Sequence, residues 1–268
     1  MAVTDFVFYH YTPSMAAAIV MCVVFFIVAA LQIWFLLRHR TWYFAPFVIG
    51  CLFEGVGYIG RILSSTEAPN YTKTPYIIQS LLLLLGPTFF AASIYMVLGR
   101  IITLLHGEQF SMVPPKWLTK VFVMGDVLSF FIQSGGGAML SNAKSESKIK
   151  TGNWIIVAGL GVQIVFFGLF VIVALLFHIR IRKYPTMRAK TTSAPWQALL
   201  YVLYASSCLI LIRSIYRVAE YITGSNGVIQ DKEWWLYVFD AVPMVLVTIL
   251  FCGFHPSREV GSEAHLDV

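Results

Sequence analysis

Charge is what this sequence has least of. Asp, Glu, Lys and Arg make up only 12% of its 268 residues, against about 25% in soluble domains. With 58% hydrophobic residues and a mean hydropathy of +0.76, a water-soluble fold of this length could not hide its apolar surface. Cysteine is sparse too. Cys22, Cys51, Cys208 and Cys252 all lie inside apolar runs, so they read as small packing residues rather than a disulfide framework. Residues 1–12 lack the basic region of a cleavable signal peptide. No G-x-x-x-x-G-K-[ST] occurs, so ATP hydrolysis by the chain itself is not expected. His39, His106, His178 and His255 fall near the ends of apolar blocks, and His10 and His265 lie in the tails. That scatter offers neither paired haem ligands nor a zinc cluster, so no metal and no cofactor is expected. The net charge of +6 follows membrane topology, and no nucleic-acid partner is expected.

What is abundant is apolar sequence in blocks of about 20 residues, the length that crosses about 30 Å of hydrocarbon. Backbone polar groups in lipid must be satisfied within the segment, so the blocks are helices. They are placed at 14–37, 42–64, 75–98, 117–140, 153–178, 196–222 and 234–254, giving an all-α membrane protein, a bundle of seven transmembrane helices. Pro, Gly or charge marks each break, including a polar stretch from Ser141 to Gly152. Trp42, Trp117, Trp154, Trp196, Trp234 and Trp235 collect at the block ends, as interfacial aromatics do. Residues 1–255 form the membrane domain and 256–268 a short tail.

Orientation follows from Lys and Arg. Arg38, Arg40, Arg100, Lys116, Lys120, Arg180, Arg182, Lys183, Arg188, Lys190 and Arg258 fall on one side; Lys73, Lys144, Lys148, Lys150 and Lys232 fall on the other. The richer side is cytosolic by the positive-inside rule, which puts the N-terminus outside and the C-terminus in the cytosol. Asn70-Tyr71-Thr72, a glycosylation sequon with Asn70 as acceptor, lies in a loop on the outer side.

Ionisable residues within spans cost roughly 2.5–3.5 kcal/mol each and normally face the bundle interior. The second block carries Glu54, Tyr58 and Arg61; the fourth Asp126 and Gln133; the sixth Arg213, Arg217 and Glu220; the seventh Asp240. Gln79 and Gln163 add amides on the third and fifth. Steps of four and seven return to one helix face, so each block presents a polar stripe, and the stripes are expected to converge on a charged network in the outer half. Three readings stand open: structural pairing of these charges, a ligand or transport pathway, and catalysis. Gly135-Gly136-Gly137 either breaks the fourth helix beside a cavity or packs closely. Gly55-Val56-Gly57-Tyr58-Ile59-Gly60 fits G-x-G-x-x-G, but inside a span it reads as a small-residue packing face. Pro87 and Pro243 are expected to kink the third and seventh helices.

The order of motifs is Glu54-Gly55-Val56-Gly57-Tyr58-Ile59-Gly60-Arg61, then Tyr76-Ile77-Ile78-Gln79, Gly86-Pro87 and Tyr95-Met96-Val97-Leu98-Gly99-Arg100. Gly125-Asp126-Val127-Leu128-Ser129, Gln133, Arg213-Ser214-Ile215-Tyr216-Arg217-Val218-Ala219-Glu220 and Tyr237-Val238-Phe239-Asp240 follow. In this order and spacing the chain resembles the RTA-like family of fungal membrane proteins, also called lipid-translocating exporters. The resemblance implies a plasma-membrane or endomembrane protein linked to tolerance of toxic or sterol-like lipids. It also implies movement of amphipathic lipids: sphingoid bases in one branch, porphyrins in another. The expectation is therefore a transporter of an amphipathic lipid, with membrane lipids as its surroundings and no enzymatic activity. A seven-helix sensor of lipid stress is the alternative, and a lipid-modifying enzyme the third. Glu54, Asp126, Glu220 or Asp240 would meet a cationic amine. Arg61, Arg213 and Arg217 would orient those carboxylates or bind an anionic head group.

Overall fold

A computed structural model describes residues 13–67, 71–143, 145–192, 194–223 and 232–254. Among the described residues, seven helices are long and apolar enough to span a bilayer: α1 (Met15–His39), α2 (Trp42–Thr66), α3 (Lys73–Leu104), α4 (Pro115–Ser141), α5 (Glu146–Lys183), α6 (Trp196–Thr223) and α7 (Trp234–Gly253). The sequon Asn70 and the tail after Phe254 lie outside the described residues.

Each helix packs on the next in the chain, α7 returns to α1, and α3 reaches α6 across the bundle. The interior is aromatic and aliphatic, with the rings of Phe44, Phe47, Phe90 and Phe251 clustered between α2, α3 and α7. Ile27, Leu31, Leu128, Phe131, Val165, Leu169 and Ile215 point outward and are exposed. A soluble monomer would not leave so large an apolar surface to water; a bilayer covers it. Seven apolar spans make this a multi-pass membrane protein.

Three helix ends differ clearly from the sequence expectation, one of them the far end of α5, which runs to Lys183 rather than to 178. The polar stretch from Ser141 to Gly152 is not all loop, because α5 begins at Glu146. At 38 residues α5 is roughly 57 Å long, more than the hydrocarbon needs, so its polar first turns are helix beyond the core, with Glu146 and Lys150 paired at i,i+4. Similarly α3 runs on to Leu104. The glycine triplet does not break α4, which continues to Ser141. Instead, a Cβ on Gly136 would lie 2.9 Å from the Gly152 carbonyl and 2.7 Å from Ile156, so this glycine lets α4 and α5 touch.

The α2 glycines act in the same way. A Cβ on Gly57 would sit 2.7 Å from the Leu83 side chain, and one on Gly60 would sit 3.1 Å from the Pro75 carbonyl and the Gln79 amide. This small-residue face brings α2 against α3 and positions everything α2 carries.

Candidate functional site: a charged network and two carboxyls outside it

The α6 stripe meets α7 at a π turn. Residues Tyr237–Ala241 take π geometry, with the Val242 amide donating five residues back to the Tyr237 carbonyl. Pro243 follows directly, and its missing N–H disfavours the ordinary bond to Phe239. The turn carries Asp240, which is buried. Arg213 Nε lies 2.6 Å from Asp240 Oδ1. Arg217 holds the same carboxylate twice, Nε to Oδ1 at 3.0 Å and Nη2 to Oδ2 at 2.5 Å. Arg217 Nη1 also donates to Glu220 Oε2 at 3.0 Å.

Arg213 has a second task. Pro87 in the interior of α3 has no N–H, so the Leu83 carbonyl four residues earlier loses its helical partner. Arg213 Nη2 donates to that carbonyl. One arginine thus ties α6 to α7 through charge and to α3 through an orphaned backbone oxygen.

Arg61, fully buried on α2, completes the network at the start of α7. Its Nη2 donates to Glu233 Oε1 at 2.7 Å and its Nε to Tyr237 Oη at 3.2 Å. Glu233 also accepts the Ser14 amide on both oxygens at 2.9 Å, pinning the entry of α1. Tyr58, one turn before Arg61, stacks between Phe25 of α1 and Tyr237 of α7 at 5.8 and 6.4 Å. Gln79 is buried on α3 across from Gly60.

Three arginines are therefore matched: Arg61 by Glu233, and Arg213 and Arg217 by Asp240 and Glu220. Glu54 stands apart. It is 2% exposed and its carboxyl presses against α3 at Gly86, where a Cβ would come within 2.6 Å of Oε1. Among the described residues, Oε1 has no hydrogen-bond partner, nor has the Tyr58 hydroxyl one turn along the same face.

Asp126 is the second carboxyl outside the network. It faces α3 and α5 rather than α6 and α7: Tyr95 Oη donates to its Oδ2 at 2.9 Å. Further along the same face, Ser129 donates to the Gly159 carbonyl at 2.7 Å, and Gln133 Nε2 donates to Ser129 at 2.5 Å and to Gln163 at 3.3 Å.

The expected convergence thus holds for the stripes of α2, α6 and α7 and fails for that of α4. Spacing fixes which residues share a helix face; the order of helices around the bundle decides which neighbour the face meets. Glu233 and Tyr95, which anchor Arg61 and Asp126, were not expected as site residues. Glu233 borders a polar break yet sits four residues before Tyr237, a helical spacing that could have exposed it. Tyr95 hides in an apolar run with only its hydroxyl as a clue. A surface depression of about 540 Å³ is lined by Glu146, Ser147, Lys150, Thr151 and Trp154, none of which belongs to the network.

Seven spans around a buried ion network define a polytopic membrane protein. The RTA1 like protein family model matches residues 47–263, and the chain belongs to that family. It is 41% identical to protoporphyrin uptake protein 1 of Saccharomyces cerevisiae, over 94% of this chain and 93% of that one. It is 30% identical to the probable lipid transporter atnI of Emericella nidulans, over 92% of this chain and 67% of the other. It is 25% identical to the sphingoid long-chain base transporter RSB1 of Saccharomyces cerevisiae, over 91% and 72%. No solved structure matches the chain.

Proposed function

We propose that this protein moves an amphipathic, amine-bearing lipid of the sphingoid-base type across its membrane, and that Glu54 receives the amine. The observation that carries this reading is the charge balance. The arginines are consumed by Glu233, Asp240 and Glu220, while Glu54 has no salt bridge among the described residues and keeps an unpartnered oxygen. A carboxyl in lipid without its own cation is the natural receptor for a substrate's cation. Tyr58 adds a hydroxyl on the same face, and the surrounding helices supply apolar surface for the tail. Glu54 is closed off in this conformation, so loading requires α2 and α3 to part near Gly86.

The lipid-transporter names of two relatives support the class. A second reading takes an anionic amphiphile such as a porphyrin, favoured by the name of the 41% identical relative. It would draw on Arg213 and Arg217, which would have to exchange Asp240 for the ligand. The chain is oriented with its N-terminus outside and its C-terminus in the cytosol, and it leaves its substrate chemically unchanged.

Purified protein in liposomes tests these points together. A fluorescent sphingoid base should cross faster than in protein-free vesicles and be recovered intact. Faster movement of a dicarboxylic porphyrin alone would favour the second reading, and a chemically altered lipid would make the protein an enzyme. Protease protection of an epitope at residue 268 in sealed vesicles tests the orientation; an epitope exposed on the outer face would reverse it.

A further inference from the structure

We infer that Asp126, held by Tyr95, is a proton-binding site distinct from the Glu54 site. Its coupling to lipid movement rests on the transport reading above; the proton site itself does not.

The argument begins with what surrounds the carboxyl. Asp126 is 1% exposed, and Tyr95 is fully buried. Tyr95 donates to Oδ2, while Oδ1 has no hydrogen-bond partner among the described residues. From α3, the titratable group that faces Asp126 is Tyr95 itself. From α5, Phe167 and Phe170 pack on Tyr95, with ring centres 5.9 and 4.5 Å from its own. Phe166 closes over the neighbouring Gly125. Among the described residues no arginine, lysine or histidine forms a salt bridge with Asp126. Removing an aspartate from water with no cation and one free oxygen is costly. A proton on Oδ1 removes that cost while Oδ2 keeps its bond from Tyr95.

Polar groups continue along α4 from Asp126, although no hydrogen bond joins Asp126 to Ser129 among the described residues. Asp126, Ser129 and Gln133 are spaced three and four apart on one face of α4. Ser129, Gln133 and Gln163 are already linked by hydrogen bonds. This line of hydroxyl and amide groups runs from Asp126 along the α4–α5 contact toward the Ser141 end of α4. In a membrane, buried carboxyl and polar chains of this kind mark proton pathways. The chemistry is a single proton transfer: water on one side releases a proton, Oδ1 binds it, and it later leaves to water on the other side, with no change in oxidation state. Glu54, outside this line, remains free for the amine.

Infrared difference spectroscopy of the purified protein between acidic and alkaline buffer gives the direct test. The expected result is a carboxylic-acid carbonyl band that titrates, disappears in Asp126→Asn and shifts in frequency in Tyr95→Phe, which removes the bond to Oδ2 and leaves the acid. If Asp126→Asn fails to accumulate, the Tyr95→Phe shift carries the same test. A spectrum with no titrating band sensitive to either change overturns the proposal. In liposomes, a pH gradient should accelerate wild-type movement of the sphingoid base, and Asp126→Asn should lose that response while keeping movement down the lipid gradient. Wild-type lipid movement indifferent to the pH gradient would refute the coupling and leave the transport reading standing. No lipid movement together with a titrating Asp126 band would refute transport and support the proton site.

Discussion

Asp240→Asn removes the carboxylate that touches both Arg213 and Arg217. Deleting one partner of a buried ion pair costs about 3–5 kcal/mol, because the remaining charge is left uncompensated. Here two features soften the loss. Arg217 keeps Glu220, and Arg213 keeps the Leu83 carbonyl that Pro87 leaves open. The asparagine oxygen also accepts one hydrogen bond. The expected cost therefore sits near the lower bound, about 3 kcal/mol. Since 1–2 kcal/mol changes cellular abundance several-fold, membrane-fraction immunoblots should show a severe loss, with a lower melting temperature in detergent. Adding Arg213→Gln removes one of the stranded charges, and the double variant should recover part of the loss. Neighbouring sites couple in this non-additive way. An Asp240→Asn protein with wild-type abundance and melting would refute the claim that this pair holds α6 to α7.

Glu220→Gln should lower abundance more mildly, by about 1.5–3 kcal/mol for a hydrogen bond to a charged group, because Arg217 stays bonded to Asp240; quantitative blots beside Asp240→Asn test the ranking. Gly60→Val should destabilise by about 1–3 kcal/mol through overpacking, since its Cβ would press on the α3 backbone at Pro75 and Gln79; a thermal melt unchanged from wild type would contradict the close α2–α3 contact.

Much of this architecture was legible because the bilayer simplifies the code. Apolar length and terminal Trp or charge located every span, and the cost of charge in lipid led to the expected network in which arginines orient carboxylates of other helices. Asp240 is such a partner for both Arg213 and Arg217. The small-residue reading of Gly57 and Gly60 also holds, since their Cβ positions collide with α3. The hidden parts depend on tertiary order. Asp126 and Gln133 share a face as their spacing requires, yet that face meets α3 and α5. The use of Arg213 to satisfy Leu83 needed both the proline rule and knowledge that α6 lies across from α3. The helical start of α5 at Glu146 was obscured because its first turns are polar, and hydropathy locates the hydrocarbon, not the end of the helix.

The central claim is that Glu54 meets substrate while Asp240 and Glu220 hold the bundle. Sphingoid-base flux in liposomes carrying equal amounts of folded wild-type or Glu54→Gln protein tests it most directly. The account predicts near-normal abundance and melting for Glu54→Gln, with lipid flux reduced to that of protein-free vesicles. Wild-type flux from a well-folded Glu54→Gln protein would remove Glu54 from the site.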